Sequence, residues 1–273
     1  MAVSMTAGST EESTMVTTVQ CVKVNHVGVS VRDLASARRF WIEGLGASEH
    51  GAFAWPVGTA PADESLATRD TAAEVVLLRT DSAFMELFAF SSPAPGPRDG
   101  DAPGVCALDW AVPDVDSAVA RAVECGGTQE EAPDGTPVVR CPEGTPVRLV
   151  PAAGGVTGLV GIQVRVPVPE VFPFSDVAGP VELDVVPGGR GTRPRAVDLG
   201  INHVCLDVTD AQAHRDRGEE LGASGVTWHH PVTESSGGAA AVCYGTTHDG
   251  VLVELFESRT DEAFFARSRL SHG

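Results

Sequence analysis

A histidine and a glutamate recur in this chain in the same setting, and that duplication limits what the chain can fold into. The first copy runs Asn25-His26-Val27-Gly28-Val29-Ser30-Val31-Arg32-Asp33 and closes with Phe84-Met85-Glu86-Leu87-Phe88. The second runs Asn202-His203-Val204-Cys205-Leu206-Asp207-Val208-Thr209-Asp210 and closes with Leu252-Val253-Glu254-Leu255-Phe256. Each copy also carries Leu-Gly-Ala-Ser between its ends, at 45–48 and again at 221–224. Repetition at this level means one structural module used more than once, with copies packing on one another.

The local pattern within a copy alternates as a strand and then turns helical. Residues 23–30 lead into Asp33, after which Leu34, Ala37, Trp41 and Leu45 fall at helical spacing. A helix is expected over 33–45, ended by Gly46. Strands near 49–55, 74–80 and 82–90 complete the order β-α-β-β-β. The C-terminal copy repeats it, with a strand at 201–208, a helix over about 210–221 capped by Gly222, and strands near 225–230, 239–245 and 251–257.

A third copy lies between them. Val105-Cys106-Ala107-Leu108-Asp109-Trp110-Ala111-Val112-Pro113-Asp114 leads into a helix over 115–125, and Pro146-Val147-Arg148-Leu149-Val150 aligns with the two closing strands. Asp114 follows Ala107 by the same seven residues that separate Asp33 from His26 and Asp210 from His203. This copy therefore has Ala107 in the histidine position and Arg148 in the glutamate position: it keeps the scaffold and has lost the chemistry. Residues 154–200 hold strand-like pieces at 159–166 and 180–186, broken by Pro167, Pro169 and Pro173, and read as either an eroded module or a β-rich linker. The expected organisation is a disordered tail (1–19), a first domain (20–152, with an intact module 20–90 and a degenerate one 104–152), and a second domain (153–273). The latter holds the eroded module or linker 153–199, an intact module 200–258 and a C-terminal helix 259–273. The fold class is α+β.

Composition bounds the partners. At 273 residues, 42% hydrophobic, the chain can bury a full core. A net charge of −18 repels nucleic acid and anionic membranes, and it favours a neutral, sugar-like or polyketide-like substrate over a CoA ester. Six cysteines show no CxxC spacing and read as buried thiols in a reducing cytoplasm. The first 19 residues lack a signal-peptide pattern, and no apolar run approaches the ~18 residues of a membrane span.

His26 and His203 sit on strands, so Gly28 and Ser30 share one face with the first, and Cys205 and Asp207 with the second. Phe84, Phe88 and Phe90 flank Glu86; Leu252 and Phe256 flank Glu254. A carboxylate on such an apolar face is costly to bury unless it is paired or metal-bound. A lone strand histidine is usually a satisfied core residue. Two His and two Glu in register, with a sister copy that lost both together, point instead to one divalent metal ion: Zn, Ni, Co, Mn or Fe(II). Substrate-contact candidates are His50 and Trp55 in the long 49–73 loop, Phe88, Cys205, Phe256, and Tyr244, the only tyrosine. His229-His230-Pro231 reads as a surface loop.

These motifs resemble the vicinal oxygen chelate superfamily, which includes glyoxalase I, methylmalonyl-CoA epimerase, extradiol dioxygenases and bleomycin resistance proteins. The resemblance covers roughly 21–152 and 200–258, and the Asp249-Gly250 turn before the last strand is nearest the glyoxalase and epimerase branch. It implies paired βαβββ modules curving around a metal held by His26, Glu86, His203 and Glu254. It departs in topology, since family members usually pair adjacent modules and here the intact ones are first and last, so they must meet within a monomer or across a homodimer. The implied activity is that of a metal-dependent isomerase or epimerase acting next to a carbonyl of a small oxygenated metabolite, with Glu254 as first choice of base and Glu86 as second. The alternatives are an extradiol-type Fe(II) dioxygenase and an antibiotic-binding resistance protein.

Overall fold

The computed structural model describes residues 21–174, 177–220, 225–234 and 238–260. The 1–19 tail, the second Leu-Gly-Ala-Ser with Gly222, and residues 261–273 of the expected C-terminal helix lie outside them. Module one comprises β1 (Cys21–Val31), α1 (Leu34–Arg38), β2 (Ser48–Trp55), α2 (Ala60–Ser65), β3 (Ala72–Arg79) and β4 (Phe84–Ser92). Asp33 caps α1 by accepting from the Ser36 amide at 2.7 Å. The helix loosens into a π-helical segment, Arg39–Gly44, that buries Phe40 and Trp41. Module two comprises β5 (Gly104–Val112), α3 (Val115–Glu124), β6 (Thr128–Glu131), β7 (Pro137–Arg140) and β8 (Pro146–Pro151), with Asp114 repeating the cap on Ser117.

Residues 158–187, expected as an eroded module or a linker, carry two strands. They supply β9 (Gly158–Val166) and β10 (Glu182–Pro187), which pair in parallel like the first and last strands of the other copies. Among the described residues between them, where the prolines lie, the helix and the two middle strands of a module are missing and a short 3-10 turn, Pro169–Val171, stands instead. Module four comprises β11 (Gly200–Val208), α4 (Ala211–Glu220), β12 (Val226–Trp228), β13 (Thr233–Glu234), β14 (Ala240–Thr247) and β15 (Leu252–Ser258).

Two sheets result, and each draws strands from both sides of residue 152. The larger has nine strands in the order β12-β14-β15-β11-β1-β4-β3-β2, with β13 on β14. The smaller has six, in the order β10-β9-β5-β8-β7-β6. In each, the first strands of two modules pair antiparallel at the centre, β1 with β11 and β5 with β9. Modules one and four thus meet within one chain, and modules two and three pair likewise. We propose the boundary at 152 as one of chain order, with these module pairs as the packing units.

Strand alternation sends Val27, Val29, Met85, Leu87, Val204, Leu206, Val253 and Leu255 into one continuous core shared by both sheets. Trp41 of module one and Trp110 of module two lie in it, fully buried, with ring centroids 5.3 Å apart. The Trp110 indole donates to the Leu45 carbonyl at 3.0 Å, tying the sheets together. Among the described residues no helix is long and apolar enough to cross a membrane. Cys141, Cys205 and Cys243 are buried, and Cys106 and Cys125 are half-buried.

Truncating Trp110 removes both the packing and the cross-sheet hydrogen bond. Trp110→Ala is expected to lower unfolding free energy by about 3–5 kcal/mol, read from urea denaturation against the parent protein.

Candidate metal centre

The antiparallel register of β1 and β11 places His26 opposite Cys205 and Gly28 opposite His203. The parallel neighbours add the carboxylates: Glu86 lies beside Gly28 on β4, and Glu254 beside Cys205 on β15. All four side chains therefore leave the same face near the middle of the sheet. His26 Nε2 lies 3.1 Å from His203 Nε2, 3.1 Å from Glu254 Oε2 and 3.4 Å from Glu86 Oε2. His203 Nε2 lies 3.4 Å from Glu254 Oε2 and 3.7 Å from Glu86 Oε2. Exposure of the four residues runs from 0% to 6%.

The other nitrogen of each imidazole is held by the preceding asparagine. His26 Nδ1–H donates to Asn25 Oδ1 at 2.9 Å, and His203 Nδ1–H to Asn202 Oδ1 at 2.6 Å. Both amides are oriented by their own donors. Asn25 Nδ2 donates to Asp207 at 2.8 Å, and Asn202 Nδ2 to the Ser30 hydroxyl at 2.9 Å. Ser30 passes on to the Ala196 carbonyl at 2.8 Å, and Asp207 pairs with Lys23 at 3.5 Å. Ser30 and Asp207 each stand four residues beyond the histidine of their own module, so each intact module braces the other's imidazole. This tautomer leaves both Nε2 lone pairs facing the centre.

Two lone pairs and two carboxylates in a dry pocket need a cation. Glu254 Oε2 is buried and has no hydrogen-bond partner, although both imidazoles are within ion-pair distance. With ligands about 2.0–2.1 Å from a zinc-like ion, neighbouring donors in a tetrahedron stand about 3.3 Å apart, close to the spacings found here. The donor set fits a divalent ion of intermediate hardness, so the chain has a potential metal site. Without the ion a proton takes its place. Burial alone would lower the pKa of His26, but Glu86 and Glu254 outweigh it and raise it to about 10. Burial works to raise the pKa of Glu254, and the His26 and His203 rings more than reverse this, holding it well below the usual carboxylate range.

The surrounding face carries the other candidates. Cys205 is buried, with its sulfur within 4.8 Å of ligand atoms of His26 and Glu254. Tyr244 lies across β14–β15 from Glu254, its ring 5.7 Å from that of His203. Phe88 meets His203 edge-on at 6.0 Å and stacks on Phe90. Phe256 is buried beside Cys205 and Ala240. Trp55 packs against Phe88 and Phe90, with its indole donating to Thr71 at 3.1 Å. His50 sits on the outer strand β2, 5.5 Å from Phe84 and three strands from β1.

Three features escaped the sequence reading. The asparagine pair was visible as a repeated Asn-His, without a role. Helix α2 falls in the stretch read as loop, and Leu66 beyond it, with Ala196 and Val197, covers the metal face. His229 and His230 are a clamp rather than a surface loop: His229 donates to the Ser65 carbonyl at 2.9 Å, and buried His230 contacts the Ser65 hydroxyl at 3.2 Å.

With the geometry in place, comparison with known proteins is direct. Residues 26–150 match the family model of the glyoxalase-like domain. Glyoxalase I from Zea mays superposes with a TM-score of 0.64 at 14% identity, covering 86% of this chain and 92% of that one. A putative dioxygenase from Bacillus subtilis superposes at 0.60 and 14%, covering 88% and 86%. No curated protein sequence matches significantly. At these identities the structural likeness is one of fold. The chain shares the α+β fold of these structures, and the match to the glyoxalase-like domain falls on its first two modules.

Two outcomes check the cluster. Asn25→Ala and Asn202→Ala are each expected to weaken Zn(II) affinity about 10- to 100-fold, measured by chelator competition, while the fold persists. Because His26 holds a proton below about pH 10 in the metal-free protein, binding must displace it. Apparent affinity should therefore rise about tenfold per pH unit between about pH 7 and 9. Calorimetry in buffers of different ionisation enthalpy should show about one proton released.

Proposed function

We propose that the protein is a metal-dependent isomerase or epimerase that moves a proton at a carbon next to a carbonyl of a small oxygenated metabolite. The ligands in this reading are His26, Glu86, His203 and Glu254. The observation that carries it is the convergence of two imidazoles and two carboxylates, from two modules, on one buried point.

A divalent ion bound there supplies Lewis-acid stabilisation of the charge that develops on the carbonyl oxygen as the C–H bond breaks. The chain supplies the rest. Glu254 is ionised and buried beside both imidazoles, and its carboxylate accepts the carbon-bound proton and returns it to the neighbouring position, while delivery to the opposite face falls to a second carboxylate. Glu86, on the other closing strand, is the second acceptor. Tyr244, across from Glu254, stays protonated because burial, with Glu254 and Glu86 nearby, raises its pKa well above the usual phenol value, and it can donate to a substrate oxygen. Phe88 and the Leu66–Val197 cover exclude water, which strengthens every charge interaction inside.

A second reading has its own observation. His26, Glu86 and His203 form a two-histidine, one-carboxylate set of the type used by Fe(II) oxygenases. Glu254, as close to both histidines as Glu86 is, favours the four-ligand isomerase.

Purified protein should carry about one metal ion per chain by ICP-MS, lost in His26→Ala. With a substrate in hand, turnover in D2O should place deuterium at the reacting carbon, and Glu254→Gln should slow turnover roughly a hundred- to ten-thousand-fold. Product formed without wash-in would rule out the proton-transfer reading. Oxygen uptake by the Fe(II)-loaded protein would favour the dioxygenase.

A further inference from the structure

The acidity of the chain as a whole favours a neutral substrate, but the space next to the metal face does not share that acidity. A cavity of about 240 Å³ opens beside His203, floored by Thr246 and Leu252 and bounded by Leu66 and Ala196. Leu252 lies two residues from Glu254 along β15, and Thr246 is its cross-strand partner. Both share the glutamate's face. The cavity therefore adjoins the reaction centre.

Three arginines line it: Arg98, Arg193 and Arg195. Arg195 is neutralised by Asp198 at 2.6 Å. The other two are not. Arg98 donates to the Ile201 carbonyl and, at 2.9 Å, to the Pro103 carbonyl. Arg193 donates to the His248 carbonyl at 2.5 Å. Among the described residues neither forms an ion pair with a carboxylate. Carbonyl oxygens fix a guanidinium in place without cancelling its charge, and five N–H donors per group leave several unspent. Burial lowers the pKa of Arg98, though never far enough to discharge it.

Arg193 is given room by a glycine. Gly250 has a φ of +89°, and a Cβ there would stand 2.8 Å from Arg193 Cδ. That glycine opens the turn before β15, the strand that carries Glu254. Two unpaired guanidinium groups are thus held at one cavity of a chain carrying −18 overall. Arg98 is held largely out of water and Arg193 at the cavity's exposed rim, so an anion entering there meets one guanidinium on each side.

We propose that this cavity binds an oxyanion of the substrate, a carboxylate or phosphate, between Arg98 and Arg193, so that the reacting carbon lies at the His26–His203 cluster. The proposal rests on the isomerase reading only in placing the reaction at that cluster. The substrate class becomes a small hydroxy- or oxo-acid or a phosphorylated hydroxy-ketone. Planar guanidinium forks suit both anions.

Isothermal titration calorimetry of the Zn-loaded full chain with inorganic phosphate, and separately with malonate, tests this. One anion per chain is expected, bound at least about tenfold more weakly in Arg98→Met and in Arg193→Met. Binding should weaken with added salt and persist in His26→Ala. A preference for phosphate or malonate identifies the anion. Unchanged binding in both arginine variants overturns the proposal, as does binding lost only in His26→Ala, which would put the anion on the metal. Arg98 also anchors backbone, so if its variant fails to fold, Arg193→Met, altered at an exposed residue, decides. No anion binding by a protein that still exchanges substrate deuterium sinks the anion site and leaves the isomerase. Anion binding at the arginines without exchange supports the anion site and counts against the isomerase.

Discussion

The pairing of β1 with β11 joins two histidines 177 residues apart in the chain, and the rest of the site follows from that register. Once Gly28 faces His203 and His26 faces Cys205, the parallel strands β4 and β15 deliver Glu86 and Glu254 to the same spot. A slip of one residue would send the histidines to the opposite face, into the valine core. The register is held by that core on one side. On the other it is held by Asn25–Asp207 and Asn202–Ser30, both of which cross the strand pair. The bonds that fix the tautomers therefore also fix the alignment.

The smaller sheet is an internal comparison. β5 and β9 pair as β1 and β11 do, and Arg148 lies beside Asp109 as Glu86 lies beside Gly28. Ala107 and Gly161 occupy the histidine positions. Where the larger sheet gathers donors without a countercharge, the smaller closes with Arg148 between Asp109 at 3.5 Å and Asp134 at 3.0 Å. The same backbone thus hosts a cluster with its own cation, Arg148, in one sheet and one whose carboxylates face imidazoles in the other.

Much of this was legible in the residues. The strands around His26, Glu86, His203 and Glu254, the equivalent positions of Asp33 and Asp114, and the vacancy at Ala107 and Arg148 all lie in local patterns repeated within the chain. The ligand set already required modules one and four to meet, but nothing in the β1 or β11 sequence says whether they do so within one chain or across a homodimer. That choice is made across a long loop by the shared core and the asparagine braces. Helix α2 was missed because its Ala-Pro-Ala-Asp-Glu-Ser has no apolar stripe and buries none of its residues. Its position depends on distant His229 and His230. Net charge averages over the surface, while Arg98 and Arg193 come from segments between modules, where no repeat draws attention to them.

The duplicated frame is also unequal at its centre. Gly28 and Cys205 occupy equivalent positions, each facing the other module's histidine. At Gly28 any side chain would collide, since a Cβ would stand 2.3 Å from Asn202 Oδ1 and from the His203 ring. His203 therefore leans over the glycine, and the cavity with its arginines opens beside that same histidine. On the opposite side Cys205 fills the space with a buried thiol next to His26 and Glu254. One half of the pseudosymmetric site is packed and the other is approachable. Two equal ligand pairs could not by themselves tell the two ends of a substrate apart. The glycine-to-cysteine difference makes the two halves unequal in just this way.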